Sequence, residues 1–216
     1  MVMRAYNPYG LARGAVRKWF FIDNRFEVFG EGHIPRQGPF LLASNHASFI
    51  DPPVVSAAVP TYRQIYFFAR KSLFKGWFGK LIASLHAIPI DRDADSDLAA
   101  FRRVFDLLNQ GHPLLVFPEG TRSPDGQIGR AEKGVGLIAC RAQVPIVPAR
   151  VFGSYEYWGR QQKLPKLGGQ LAVTFGAPFE VSTVDPGKKS SERYAVVAQK
   201  TLDTIASLPP PPGWTG

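Results

Sequence analysis

Seven short apolar runs alternate along this chain with segments of helical periodicity, and that alternation constrains the fold more than any other feature. The runs are Phe26–Phe29, Phe40–Ala43, Ile65–Ala69, Ala87–Ile90, Leu114–Phe117, Ile146–Val151 and Leu171–Phe175. Helical patterns cover Leu11–Ile22, Pro53–Ala58, Leu73–Leu85, Ser96–Leu108, Ala131–Arg141 and Ser191–Leu208. Strands separated by helices predict an α/β fold with a mainly parallel sheet flanked by helices. A chain of 216 residues fits one domain with a sizeable core. The expected organisation is an amphipathic N-terminal helix in residues 1–24, a single domain over 25–208 and a Pro-rich tail at 209–216. Asp95-Ser96-Asp97 suits a helix start and Gly111 a helix stop. The tail, with Pro209 to Pro212 followed by Gly213, cannot continue a helix and is expected to be extended and frayed.

Charge narrows the class of partner. The net charge is +9, and residues 1–92 hold 12 basic and 5 acidic side chains, a net of +7. A basic half calls for an anionic partner: a bilayer, a phosphorylated substrate or nucleic acid. Nucleic-acid binding predicts aromatic residues interleaved with basic ones on an exposed sheet. Here the aromatics sit in apolar runs and helical stripes, so nucleic acid is not expected as a partner. Charges interrupt every apolar stretch before the roughly 20 residues a bilayer requires, so no transmembrane helix is expected. Arg4, Arg13, Arg17 and Lys18 leave no apolar signal-peptide core. Membrane contact is therefore expected to be peripheral, at the cytoplasmic face. The one cysteine, Cys140, precludes an internal disulfide and reads as a small core residue of a helix.

Two helices combine aromatic stripes with flanking cations. Leu11, Ala12, Ala15, Val16, Trp19 and Phe20 share a stripe beside Arg13, Arg17 and Lys18. Leu73, Phe74, Trp77, Phe78, Leu81 and Ile82 share another beside Lys71, Lys75 and Lys80. Such a stripe either lies in a membrane interface or packs on the sheet. The first helix suits both readings equally. The second leans towards the membrane, because Gly76 and Gly79 are poor choices for a purely structural helix.

The chemistry concentrates where strands end. Ser44-Asn45-His46-Ala47-Ser48-Phe49-Ile50-Asp51-Pro52-Pro53 follows a strand, and open α/β sheets place their ligands at strand carboxyl ends. Histidine takes a proton near neutral pH, and a carboxylate on its other nitrogen fixes the tautomer and stabilises the imidazolium. Residues five apart do not share a helix face, so His46 and Asp51 meet only if the segment between them turns. Pro52 and Pro53 favour that, since proline suits the first turn of a helix. Asp51 before Pro-Pro also reads as a helix cap alone. Phe117-Pro118-Glu119-Gly120-Thr121-Arg122-Ser123 follows another strand. Gly120 permits an unusual backbone angle, Thr121 and Ser123 offer hydrogen bonds, and Arg122 offers a planar fork suited to phosphate. Ile88-Pro89-Ile90-Asp91-Arg92 ends a third strand with an arginine. Two arginines at strand ends are candidates for one phosphate site.

These segments together resemble the phospholipid and glycerol acyltransferase family, and within it the lysophosphatidic acid acyltransferases. Asn45-His46 through Asp51 looks like the first motif, Asn-His-x4-Asp. Ile88 to Arg92 resembles the second, Phe117 to Ser123 the third and Val144-Pro145-Ile146-Val147-Pro148-Ala149 the fourth, in order and spacing over roughly residues 25–180. The second motif usually has a glycine where His86 stands. The resemblance implies direct transfer of a fatty acyl group from a thioester, acyl-CoA or an acyl carrier protein, to a glycerol hydroxyl. The acceptor would be a lysophospholipid, 1-acylglycerol 3-phosphate first, with another lysolipid, glycerol 3-phosphate or an aminolipid as the alternative. It implies His46 as base and Asp51 as its orienter. Glu119 would lie near the glycerol, with Gly120 and Thr121 in the same substrate-binding loop, and Arg92 and Arg122 on the acceptor phosphate. It implies no metal, no cofactor and no covalent acyl-enzyme. An anionic membrane surface is the expected partner.

Overall fold

The computed structural model describes residues 7–23, 25–90 and 97–215. Seven strands form one sheet: β1 (Arg25–Phe29), β2 (Leu41–Ser44), β3 (Tyr66–Arg70), β4 (Ala87–Ile90), β5 (Leu114–Val116), β6 (Ile146–Phe152) and β7 (Gln170–Phe175). Their spatial order is β1-β7-β6-β2-β5-β3-β4, and every neighbouring pair is parallel except β6 with β7. All seven expected strands are present, and the α/β reading with a mainly parallel sheet holds.

The two-residue period of the strands sorts side chains to the two faces. Leu42, Leu115, Val147, Val151 and Phe67 face α1 (Pro8–Asp23), α2 (Asp51–Ala58) and α3 (Gly76–Ser84). Leu41, Ala43, Leu114, Val116 and Ile146 face α4 (Asp97–Asn109), α5 (Lys133–Ala142) and α7 (Arg193–Ser207). Central β2 is buried along its whole length, as expected of a parallel strand covered on both faces. Cys140 lies in the second cluster, as its sequence context suggests. A short helix that periodicity does not reveal, α6 (Ser154–Trp158), follows β6. Gly111 stops α4 in the left-handed conformation, φ +83°, with its amide donating to the Leu108 carbonyl. The Asp95-Ser96 part of the expected helix start lies outside the described residues.

Three expectations change. The tail is neither extended throughout nor frayed: it turns at 212–213, where the Trp214 amide donates to the Pro211 carbonyl, Pro211 is buried, the Trp214 ring meets Phe152 at 5.6 Å, and the Thr215 amide donates to Gln170 Oε1. The α3 stripe is largely a core face: Leu73, Phe74, Phe78 and Leu81 pack on the first cluster, Ile82 is buried, and only Trp77 is strongly exposed. Its glycines have structural reasons. A side chain at Gly79 would run into the backbone of Phe74, and Gly76 opens the helix at φ +60°. The first helix carries two apolar faces rather than one. Val16 and Phe20 are buried against the sheet, while Leu11, Trp19, Phe21 and Ile22 are exposed.

Candidate active site

The centre of the sheet brings β2, β5 and β3 side by side, so the loops at their carboxyl ends meet. The first of these is anchored by Asn45. Its Oδ1 accepts from the Val151 amide at 2.8 Å, and its Nδ2 donates to the Val151 carbonyl at 3.1 Å, which ties the end of β2 to β6. The chain then turns, and Asp51 comes back to His46: Nδ1 lies 2.9 Å from Asp51 Oδ2. The same oxygen accepts the Ala47 and Ser48 amides, each at 2.7 Å. Asp51 is fully buried, and its Oδ1 has no hydrogen-bond partner among the described residues.

Asp51 is therefore not the helix cap. Ile50 occupies that position and makes no side-chain cap bond, and Asp51 is the first residue of α2. Its carboxylate turns backward into the loop, where the helix N-terminus also favours negative charge. The bond to Asp51 occupies Nδ1 and leaves Nε2 as the remaining ring nitrogen of His46, which lines the cleft.

The third-motif loop holds the same histidine from the other side. Phe117 stacks on the imidazole, with ring centroids 4.1 Å apart and 19° between planes. Glu119 Oε2 accepts the His46 amide at 2.6 Å, and the Ser123 amide donates to the His46 carbonyl at 2.7 Å. Glu119 Oε1 accepts the Gly129 amide at 3.2 Å. Burial raises the Glu119 carboxyl above its ordinary range, opposed by these two amide bonds. This geometry makes Glu119 a brace for the histidine backbone. It is buried and absent from the cleft lining, so the glycerol contact that the resemblance implies finds no support in its position. Gly120 takes φ +64° and lets the chain leave that brace.

A cleft of about 610 Å³ opens beside His46. Gly120, Thr121 and Arg122 line it. Its lining includes the apolar side chains Phe68, Leu73, Val116, Phe117, Val135 and Ile138, and one carboxylate, Glu132. Three arginines line it as well. Arg122 lies over the Phe49 ring, 3.4 Å from its centroid, and its buried Nη1 has no hydrogen-bond partner among the described residues. Burial pushes its guanidinium down from the usual range, and Arg160 and Arg70 push the same way. Both of those line the cleft, and Arg160 Nη1 is 3.4 Å from the Arg122 carbonyl. Among the described residues none of the three is ion-paired. Arg70 and Arg160 are absent from the sequence-predicted site. Arg70 enters the sequence reading only as one of the 12 basic residues of 1–92, and nothing marks Arg160. Arg92 lies outside the described residues, although Ile90 before it lines the cleft. A more open depression of about 520 Å³ near Arg25, Glu156 and Trp214 contains none of these groups.

His86, the departure from the second motif, takes the backbone that a glycine there would favour, φ +64°. Its ring sits between Tyr9 and Tyr66, 4.6 Å from each. Burial first, then His112, lowers its pKa.

The chain is 26% identical over 201 residues to the 1-acyl-sn-glycerol-3-phosphate acyltransferase of Bacillus subtilis, covering 93% of this chain and 96% of the relative. It is 33% identical over 171 residues to the enzyme of that name from Pseudomonas aeruginosa, covering 75% of this chain and 62% of the relative. The human alpha form is 32% identical over 164 residues, with 75% and 57% covered. The crystal structure of the 1-acyl-sn-glycerophosphate (LPA) acyltransferase of Thermotoga maritima shares the fold, with a TM-score of 0.70 at 24% identity over 92% of this chain and 75% of that one. The acyltransferase family model matches residues 25–151, the stretch that carries both loops holding His46, and the chain belongs to that family.

Proposed function

We propose that this acyltransferase moves a fatty acyl group from an acyl thioester to the free hydroxyl of 1-acylglycerol 3-phosphate, giving phosphatidic acid. The observation that carries the reading is the His46–Asp51 pair on a cleft lined by apolar side chains and three arginines. Apolar and guanidinium groups in one cleft suit a lysophosphatidate, which has a hydrocarbon chain and a phosphate. The names of the relatives support the acceptor.

In this mechanism the acceptor phosphate binds Arg122 and Arg70, with Arg92 added from the family resemblance. A part-buried guanidinium whose buried Nη1 has no partner among the described residues suits a phosphate oxygen. His46 Nε2 takes the hydroxyl proton as the oxygen attacks the thioester carbonyl carbon. Asp51 stabilises the imidazolium so formed. The tetrahedral intermediate collapses, the carbon–sulfur bond breaks, and the imidazolium returns its proton to the departing thiolate. An ester and a free thiol result. The braced turn holds the base in place before substrate arrives, so orientation supplies much of the acceleration. The thioester is the co-substrate, from acyl-CoA or an acyl carrier protein, and the reaction as drawn calls on no metal or cofactor.

Among the described residues no helix is long and apolar enough to cross a membrane. The reading takes the acceptor from the cytoplasmic face of an anionic bilayer through peripheral contact.

The test is a panel of lysolipid acceptors against both donor types, read by mass spectrometry. Transfer should favour the phosphate monoester. His46→Ala should lose at least ~10²-fold in turnover, and near-normal turnover would sink its role as base. Arg122→Ala should raise the KM of the acceptor far more than that of the thioester. A preference for an acceptor without a phosphate monoester would replace the substrate assignment.

A further inference from the structure

We infer that residues 160–169, together with the outer face of α1, form the surface that seats this protein on an anionic bilayer. The segment reads Arg-Gln-Gln-Lys-Leu-Pro-Lys-Leu-Gly-Gly, with three cations and no acid. Leu164 is 77% exposed and Leu167 65%, more than any core role explains. Lys163 and Lys166, beside them, are exposed as well.

The fold joins this segment to two places. At its start, Ser48 of the catalytic turn pairs with Gly159, and Ser48 Oγ donates to the Trp158 carbonyl at 2.6 Å. The Trp158 indole donates to the Gln162 carbonyl, and Arg160 reaches the cleft. At its end, the Gly169 carbonyl accepts the Arg25 amide at 3.0 Å, two residues beyond α1. Tyr157 links the two along the way: its carbonyl accepts the Lys166 amide, and its hydroxyl accepts the Trp19 indole of α1 at 3.3 Å.

The segment thus runs from the cleft mouth to the end of α1, where Trp19, Phe21 and Ile22 are more than half exposed next to Lys18. Exposed large apolar side chains with cations beside them thus occur on two parts of the sequence that these bonds join. That combination fits an interface of acyl chains below anionic head groups, with an indole at the boundary. An acidic protein partner accounts for the lysines but leaves the five exposed apolar side chains unexplained. Seated this way, the bilayer supplies lysolipid at the mouth of the cleft, a consequence that rests on the proposed acyl transfer.

Sedimentation with vesicles tests the surface directly. Wild-type protein is compared with Lys163→Ala/Lys166→Ala and Leu164→Ser/Leu167→Ser on vesicles of phosphatidylcholine with and without phosphatidylglycerol. The lysine pair should weaken binding to anionic vesicles about 25-fold, roughly fivefold per cation, with little effect on neutral ones. The leucine pair should weaken both about 10-fold or more. Thermal melts should match wild type, since these side chains are exposed. Binding unchanged in both variants overturns the inference. In a second arm, both variants should keep wild-type turnover on a short-chain monomeric acceptor and lose it on acceptor embedded in vesicles. Intact vesicle binding with a loss confined to the acyl carrier protein donor would overturn it in favour of a carrier-docking surface. If no acceptor is turned over by wild type, the acyl-transfer reading fails, and sedimentation still decides the surface.

Discussion

Asp51→Asn separates the electrostatic role of this carboxylate from its structural one. Asp51 Oδ2 accepts three donors, from His46, Ala47 and Ser48, while Oδ1 has no partner among the described residues. An asparagine keeps all three bonds if its carbonyl takes the Oδ2 position. Its NH2 then replaces Oδ1 in a dry site, and an unpaired buried donor costs about 1–3 kcal/mol. For a domain of this size each kcal/mol lowers the melting temperature by about 2–4 °C. The variant should therefore stay folded and melt roughly 2–12 °C lower. Catalysis loses more. The attraction between Asp51 and a forming imidazolium at 2.9 Å is at most about 6 kcal/mol at an effective dielectric of about 20. Exchange of a charge-assisted bond for a neutral one removes at least about 1 kcal/mol. Between those bounds, kcat should fall about 10²- to 10³-fold with KM little changed. Thiol release from an acyl thioester, followed with a chromogenic disulfide beside a thermal melt, measures both. A variant that melts lower but keeps kcat within about threefold of wild type would refute the reasoning and leave Asp51 a structural residue.

Glu119→Gln distinguishes a brace from a substrate contact. One of its two amide bonds becomes donor against donor, so the melting temperature and kcat should fall while the acceptor KM holds; a raised KM with normal stability would return Glu119 to the glycerol. At His86, alanine keeps the left-handed backbone and loses the ring contacts, whereas glycine loses the same contacts and relieves the backbone. His86→Gly should therefore melt about 2–4 °C above His86→Ala, and the reverse order would remove the strain argument. The lowered pKa of His86 also has a signed consequence. The unfolded chain takes the proton near the ordinary histidine value of about 6.5, while the folded chain resists it. Stability is thus lost as pH falls from about 6.5 through the lower folded value. A melting series over pH 7 to 4.5 should be flatter for His86→Gly than for wild type.

The parts of this fold that depend on short stretches were legible in the sequence. Strand runs such as Leu114–Val116 declare themselves through apolar β-rich residues between turns, and Gly111 marks a helix end by its backbone freedom. The parts that depend on convergence were not. Arg70, Arg122 and Arg160 share a cleft only because the sheet order sets β3 beside β5 and because α6 returns the chain across the catalytic turn. Neither fact has a local signature. The wheel of α1 suggested one apolar stripe where the fold uses two faces, since a helix packed at a sheet edge buries Val16 and Phe20 while Trp19 and Ile22 point away. The α3 stripe misled for a related reason. Gly79 looked costly for a structural helix until the backbone of Phe74 filled the space beside it.

The spacing His-x4-Asp is weak by itself, and the geometry explains why it needs a partner loop some seventy residues away. Asp51 fixes the imidazole and closes the turn through two amides, but it does not set where the turn sits over the sheet. Glu119 and Ser123 do that, one on the His46 amide and the other on its carbonyl, while Phe117 limits rotation of the ring. The histidine peptide units are thus held by a loop that also carries Arg122 into the cleft. His46 on one loop and Arg122 on the other are thereby held beside the same cleft by bonds between the two loops. In the proposed reaction, where a phosphate-bearing acceptor presents one hydroxyl to one nitrogen, that tie between the loops is what the third motif contributes to the first.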